Sequence, residues 1–300
     1  MKKKIIIGTR GSKLAVTQTH LVMSQLQAAY PELTFQTKII NTRGDEGLNS
    51  RLLVQEGYGF FVKEIEDALL SKDIDIAVHS LKDMPAVLPD GLKIGAICKR
   101  LDARDVFISK DGCSLEDLEQ GSGIGTSSLR RRIQLQSFRP DLRVVDLRGN
   151  LDTRLMKLSK DSEISGIIVA AAGLYRLNLE EKITQFLPID PFLPAAGQGA
   201  LAVEVREQDE EEALVMVLED KESRLVVSAE RAFLEKIGIG CDAPVGVHAE
   251  IVGERLIVRG MVSNHWEEVE GAQKDCRELG LLLGERMVVT VHGLQLSVHG

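Results

Sequence analysis

Apolar positions along the first two-thirds of the chain switch repeatedly between strand-like runs and helix-like spacing. "KKIIIGT" is a continuous apolar run of strand length. "SKLAVTQTHLVMSQLQAAY" spaces its apolar residues as an amphipathic helix and stops before Pro31. "TFQTKIINT" predicts a strand, "GFFVKEIEDALLSK" a helix and "IDIAVHS" a strand again. Strands alternating with helices at this spacing specify a mainly parallel, doubly wound sheet. "GLKIGAICKR" and "ARDVFISK" then read as strands that leave this first unit.

A second unit repeats the alternation without repeating the sequence. "LEQGSGIGT" leads into the helix "SSLRRRIQLQSF", and "LRVVDLR" is a strand followed by the helix "NLDTRLMKL". "SGIIVAAAGLYRL" is a strand turning into a helix, and "ALAVEV" a further strand. The acidic run "REQDEEEA" reads as a solvated helix face. Beyond about Glu222 the pattern becomes α+β: a helix "SRLVVSAERAFLEKI", the loop "IGIGCDAPVG", and a hairpin "GVHAEIVGERLIVRGMVS" with a Gly-Glu turn.

The chain has 300 residues, 44% hydrophobic and 27% charged, which is ordinary for a soluble globular protein of two or three domains. The basic start "MKKKIIIG" has too short an apolar run for a signal peptide, and no stretch approaches a membrane span, so a cytoplasmic address is expected. Four scattered cysteines without C-x-x-C spacing, and histidines without H-x-x-x-H spacing, predict neither disulfides nor a metal site. A formal charge of −8 disfavours nucleic acid as a partner. Arginine is nevertheless dense in "SSLRRRIQLQSFRPDLRVVDLRGNLDTRLMK", which suits a small polyanionic ligand.

Chemistry concentrates where strands become helices. Ser12 is placed to cap one helix, with Thr9 and Arg10 just before it. Thr126, Ser127 and Ser128 cap another whose first turn carries Arg130, Arg131 and Arg132. Helix starts offer unpaired N–H groups and partial positive charge, and arginine adds a planar fork for carboxylates. Ordinary capping with surface arginines is the alternative at either site taken alone. Arg148, Arg154 and Arg176 at further element ends weigh against it. In "DIAVHSLKDMP" a buried strand ends at His79 and Ser80, and Lys82 and Asp83 follow where doubly wound folds bind ligands; an ordinary surface ion pair is the alternative on spacing alone. A Ser-His-Asp hydrolase reading there fails on geometry, since close sequence neighbours do not form a triad. "GSGIGTS" and "GQGALA" lack the strand–turn–helix context of a dinucleotide site, which argues against an oxidoreductase. Cys98 reads as packing in a strand; Cys241 sits in a glycine-flanked loop, where inert packing and an exposed thiol are equally open readings.

These segments together resemble the porphobilinogen deaminase (hydroxymethylbilane synthase) family. "GTRGSKLA", "TRGD", "AVHSLKDMP", "ARDVFIS", "GTSSLRRR", "LRGNLDTRL", "AAAGLYRL", "PAAGQGALAVE" and "AERAFLEKIGIGCDAPVG" occur in family order over about 250 residues. The resemblance implies two periplasmic-binding-protein-like doubly wound α/β domains, 1–98 with 198–217 and 99–197, around a cleft. It adds a smaller C-terminal α+β domain over 218–300. It implies head-to-tail condensation of four porphobilinogen molecules with release of ammonia, giving linear hydroxymethylbilane. The chain would be a monomer that primes itself with a covalent dipyrromethane cofactor, thioether-linked to Cys241.

Family positions make Asp83 the catalytic carboxylate. Lys82, Asp83, Thr126, Ser127, Ser128, Arg130, Arg131 and Arg154 hold the cofactor. Arg10, Ser12, Gln18, Arg148, Arg154, Arg176 and Gln198 hold substrate, and Arg132 extends the cluster. The alternative is a cytosolic two-lobed anion-binding or sensor protein without catalysis, which makes no demand for Cys241 or Asp83. Three positions depart from the family pattern: Tyr58 replaces a lysine in "QEGYGFFVKE", Asp242 follows the cysteine, and "LGLLLGERMVVTVHGLQLSVHG" does not look like the usual final helix. A carboxylate at Asp242 disfavours the neighbouring thiolate.

Overall fold

The structure, a computed structural model, describes residues 4–42, 62–238 and 244–297, with side chains to 288. It divides into two compact units, Met1–Leu101 with Ala200–Leu225, and Asp102–Gly199 with Val226–Gly300. Tyr58, Cys241 and Asp242 lie outside the described residues.

The first unit is a five-stranded sheet in the order β2-β1-β3-β10-β4. Its strands are β1 (Lys4–Thr9), β2 (Thr34–Ile39), β3 (Ile76–Ser80), β4 (Leu92–Ile97) and β10 (Leu201–Arg206). β1 runs parallel to β2 and β3, while β10 is antiparallel to both its neighbours. Helix α1 (Lys13–Ala29) covers one face through Val22 and Leu26. Helix α2 (Lys63–Leu70) covers the other through Ile65 and Leu69. Both faces are therefore packed, which is why β3 and β10 carry near-continuous buried residues. The expectation that "GLKIGAICKR" leaves this unit is corrected. β4 stays as its edge strand, held by β10, and only β5 (Asp105–Ser109) departs.

The second unit repeats this topology with different residues, in the order β7-β6-β8-β5-β9. β6 (Gly123–Gly125), β7 (Arg143–Val145) and β8 (Gly166–Ala170) are parallel; β5 is antiparallel to β8 and to the two-residue β9 (Gln185–Phe186). Helix α3 (Leu129–Phe138) packs Leu135 on one face. Helices α4 (Leu151–Lys160) and α5 (Ala171–Arg176) pack Leu158 and Leu174 on the other. In each sheet the fourth position is taken by the strand, β10 or β5, with which the chain passes between units.

The acidic run after β10 is only partly solvated, which corrects its reading as a solvated face. Helix α6 (Glu210–Val215) buries Glu211 at 4% exposure, 3.8 Å from the buried Arg206 guanidinium, and burial pushes the Glu211 carboxyl up. Arg206 also donates to the Leu69 and Ile74 carbonyls, so "REQDEEEA" ties α2 to β10.

The C-terminal module groups with the second unit. Helix α7 (Lys221–Ile237) precedes a three-stranded antiparallel sheet of β11 (Val245–Val252), β12 (Arg255–Val262) and β13 (His265–Ala272). The predicted hairpin and its Gly253-Glu254 turn are present, and β13 is an unforeseen third strand. The final segment, read as unlike a final helix, is helix α8 (Cys276–Ser297). Its stripe Leu279, Leu283 and Met287 is buried at helical spacing. Gly280 and Gly284 permit its close approach to α7. A Cβ at Gly280 would stand 2.1 Å from the Ala229 carbonyl oxygen, and one at Gly284 would stand 2.6 Å from the Lys236 Cβ. No described helix is long and apolar enough to cross a membrane.

Candidate active site

In the first unit the site residues collect at the carboxyl ends of adjacent parallel strands. β1 ends at Thr9, and Ser12 caps α1 by accepting the Ala15 N–H at 3.3 Å. β3 ends at Ser80, and a 3-10 turn over Leu81–Asp83 follows. Gln18, buried at 3% exposure on α1, donates from Nε2 to the Ser80 Oγ at 2.9 Å and so pins the helix to the end of β3. Gln18 is thus a clamp between the two strand ends. Lys82 and Asp83 stand half-exposed on the turn. Among the described residues, no hydrogen bond or ion pair engages the Asp83 carboxylate.

The second unit builds the equivalent corner. Thr126 follows β6 and is buried, its Oγ1 accepting the Ser128 N–H at 3.2 Å. Ser128 caps α3, accepting the Arg131 N–H at 3.5 Å, with Ser127 half-buried between them. Small residues are required where β6 meets the sheet core, because a Cβ at Gly125 would stand 2.8 Å from Leu147.

Arg130 and Arg131, on the first turn of α3, point inward to Asp105 on β5. Arg131 donates from Nε and Nη2 to Oδ2 and Oδ1 at 3.0 and 2.7 Å, and from Nη1 to the Ile168 carbonyl. Arg130 Nη1 lies 2.8 Å from Oδ2. Gln198, at 1% exposure, donates to Oδ1 at 2.8 Å and to the Ala103 carbonyl at 2.7 Å. Burial pushes the Asp105 carboxyl up, but the two guanidinium groups outweigh it and hold the group well below the usual carboxylate range. Two buried cations against one carboxylate leave the cluster one positive charge in excess beneath the α3 N-terminus. The excess charge and the helix dipole both favour an anion there.

The remaining arginines differ in exposure. Arg148 is more than half exposed and meets Asp146 at 3.1 Å; Arg154, at the start of α4, donates to the Gly149 carbonyl at 2.8 Å. Arg176, buried at the end of α5, donates to the Gly199 carbonyl at 2.6 Å. Arg10 is half-buried after β1. Arg132 Nε is closed to solvent with no hydrogen-bond partner among the described residues. An orphaned guanidinium donor at this corner fits a carboxylate-bearing group. A dipyrromethane bearing acetate and propionate arms therefore suits the donor set.

Three contributors were not assigned from sequence. Asp105 sits in "ARDVFIS" without any spacing signal for its partners. Gln134 on α3 donates to the Leu193 carbonyl at 3.0 Å, beside Arg130. Glu230 on α7 is fully buried, Oε2 accepting the Gly197 N–H at 2.7 Å and Oε1 the Ala249 N–H at 2.9 Å. Its signal was present, because Val227, Glu230 and Phe233 fall on one helical stripe with a charge among apolar residues. Glu230 joins α7 and β11, the elements on either side of the Cys241 loop, to the "GQG" segment. The Val247 N–H donates to the Pro194 carbonyl at 2.9 Å, and a Cβ at Gly246 would stand 2.9 Å from Leu193 and 3.4 Å from Arg130. The start of β11 thus lies beside Arg130.

Comparison with known proteins gives two family matches. Residues 5–213 match the model described as "Porphobilinogen deaminase, dipyromethane cofactor binding domain", and residues 224–288 match "Porphobilinogen deaminase, C-terminal domain". The porphobilinogen deaminase of Syntrophus aciditrophicus (strain SB) is 47% identical over 289 residues, covering 94% of each chain. That of Brevibacillus brevis is 53% identical over 261 residues, covering 86% of this chain and 84% of its own. Among solved structures, the methionine binding protein MetQ aligns with 74% of this chain and 92% of its own at 14% identity and a TM-score of 0.47.

Proposed function

The chain belongs to the porphobilinogen deaminase family, and from that premise we propose how its residues divide the work. It condenses four porphobilinogen molecules head to tail, releasing ammonia at each step, as a cytoplasmic monomer with Cys241 as the cofactor tether. The observation that carries the reading is the β1–β3 corner, where the capped start of α1 is clamped by Gln18 to the strand end that leads into Lys82 and Asp83.

The dipyrromethane, when bound, supplies the pyrrole end onto which the first substrate ring is joined. Thr126, Ser127, Ser128, Arg130, Arg131 and Arg154, with Lys82, hold its carboxylates. Arg130 and Arg131 act chiefly through the excess charge of the Asp105 cluster. Arg10, Ser12, Arg148 and Arg176 receive the acetate and propionate of incoming porphobilinogen, while Gln18 and Gln198 brace the strand ends behind them. Asp83 accepts the pyrrole N–H, stabilises the cation left when the C–N bond to ammonia breaks, and manages the proton released as the new C–C bond forms.

The test is incubation of the purified protein with porphobilinogen, reading ammonia and intact mass together. Ammonia release with discrete increments of one pyrrole unit is expected. Binding of porphobilinogen without ammonia release would leave an anion-binding protein and overturn the reading.

A further inference from the structure

The α2-facing side of the first sheet carries a buried ionisable cluster that the reaction, as derived, does not use. Alternation along β10 turns Leu201, Val203 and Val205 toward α1, and Ala202, Glu204 and Arg206 toward α2. The antiparallel register pairs Glu204 with Ala77 and Ala202 with His79, which sets His79 on the same face as Glu204. His79 Nε2 lies 2.9 Å from Glu204 Oε2, with the side chains 3% and 0% exposed. Glu66 comes down from α2 onto this pair and is buried at 5% exposure. One oxygen of each carboxylate, Glu204 Oε1 and Glu66 Oε1, is closed to solvent and has no hydrogen-bond partner among the described residues.

Two carboxylates and one imidazole share this space. Burial and then Glu204 push the Glu66 carboxyl up to about 7; His79 opposes them, and Asp67 on the same helix adds a smaller push upward. Of the other charged groups packed on this face, Arg206 is engaged by the Leu69 and Ile74 carbonyls and by Asp209, and lies 3.7 Å from Asp75 and 3.8 Å from Glu211. His79 Nε2 is taken up by Glu204, and Glu66 Oε1 has no hydrogen-bond partner among the described residues, so a second negative charge buried there is costly. A proton on Glu66 also removes the cost of a buried charge and gives its carboxyl a donor as well as an acceptor.

We propose that Glu66 is a positioning residue for the reaction: as a neutral acid it keeps the His79–Glu204 pair closed, fixing the strand end from which Lys82 and Asp83 follow. Its ionisation disturbs that strand end and slows turnover on the alkaline side. The proposal rests on the reading of Asp83 as the catalytic carboxylate.

The test uses the full-length, cofactor-loaded protein. Infrared spectroscopy at about pH 6 is expected to show a protonated-carboxyl band that Glu66→Gln removes and that titrates away in the wild type with a midpoint near 7. Wild-type kcat is expected to fall through the same midpoint by about tenfold per pH unit, while Glu66→Gln stays level. Absence of the Glu66-dependent band, or an alkaline limb unchanged in Glu66→Gln, overturns the proposal. Should Glu66→Gln fail to fold, His79→Gln decides. Loss of the opposing imidazole moves the carboxyl midpoint upward, and an unmoved midpoint contradicts the proposal. Normal turnover in Asp83→Asn with the band intact would overturn the link to catalysis while leaving the buried acid in place.

Discussion

Arg131 grips Asp105 with two parallel hydrogen bonds, Nε to Oδ2 at 3.0 Å and Nη2 to Oδ1 at 2.7 Å, with both side chains closed to solvent. This pair joins α3, whose N-terminus forms one candidate anion site, to β5, the strand with which the chain enters the second sheet. Arg130 and Gln198 converge on the same carboxylate. The fold and the charge of the site therefore depend on one aspartate.

Replacing Asp105 with asparagine leaves two buried guanidinium groups without a counter-charge. The expected cost is about 3–5 kcal/mol of stability. The Asp105 carboxyl is held below its ordinary value in the folded protein, so its stabilisation is present above the unfolded-state value of about 4 and is lost as pH falls through the lower folded value. Urea titrations of Asp105→Asn and wild type should differ fully at neutral pH and converge in strong acid. A deficit independent of pH would contradict the ion-pair account.

Arg148 and Arg131 separate binding from folding. Arg148 is more than half exposed, so Arg148→Leu should change stability by no more than about 0.5 kcal/mol while interrupting cofactor assembly or chain elongation. Arg131→Leu should fail in both respects. Denaturation midpoints measured beside the mass distribution of the elongating enzyme distinguish the two. Equal loss of stability in both variants would remove the distinction.

Asp83→Asn keeps the shape of the turn after β3 and removes its charge. Turnover should fall by about 10²–10⁴-fold, the range expected when a positioned acid–base group is lost. Porphobilinogen should still bind through the arginines. Single-turnover ammonia release and equilibrium binding, measured on one preparation, provide the two readouts. Near-normal turnover would exclude Asp83 from the chemistry.

Gly280 and Gly284 face α7 at distances that admit no side chain without displacement. Gly280→Ala should therefore destabilise the C-terminal module by about 1–3 kcal/mol through overpacking, despite alanine's better helix propensity. Thermal melts of this variant against an alanine substitution at Ser263, a positive-φ residue in the β12–β13 turn, separate overpacking from turn strain. A melt for Gly280→Ala at or above wild type would contradict the close approach.

Much of this architecture was legible because local signals and tertiary packing agree. Ser12 and Ser128 were expected to cap, and both do. The alternating runs named the strands on which the site stands. The misreadings occurred where tertiary partners decide. β4 follows the same kind of apolar run as β5, and only the return of β10 beside it keeps it in the first sheet. Glu211 looks like its exposed neighbours until Arg206 is placed. The last segment is a helix whose Gly280 and Gly284 bring it against α7, a fit that only the partner helix reveals. At the site, the capping residues at the strand ends and the local density of arginine were legible by type and position. Arg130 and Arg131 turning inward was not, since Asp105 lies 26 residues from Arg131 in sequence.

The most direct test of the account is the intact mass of the purified protein, compared with that of Cys241→Ser. The account predicts that the wild type carries additional mass equal to two pyrrole units, bound through the loop between α7 and β11, and that the variant folds without it. A folded wild-type protein that has no added mass, and gains none on exposure to porphobilinogen, would contradict it.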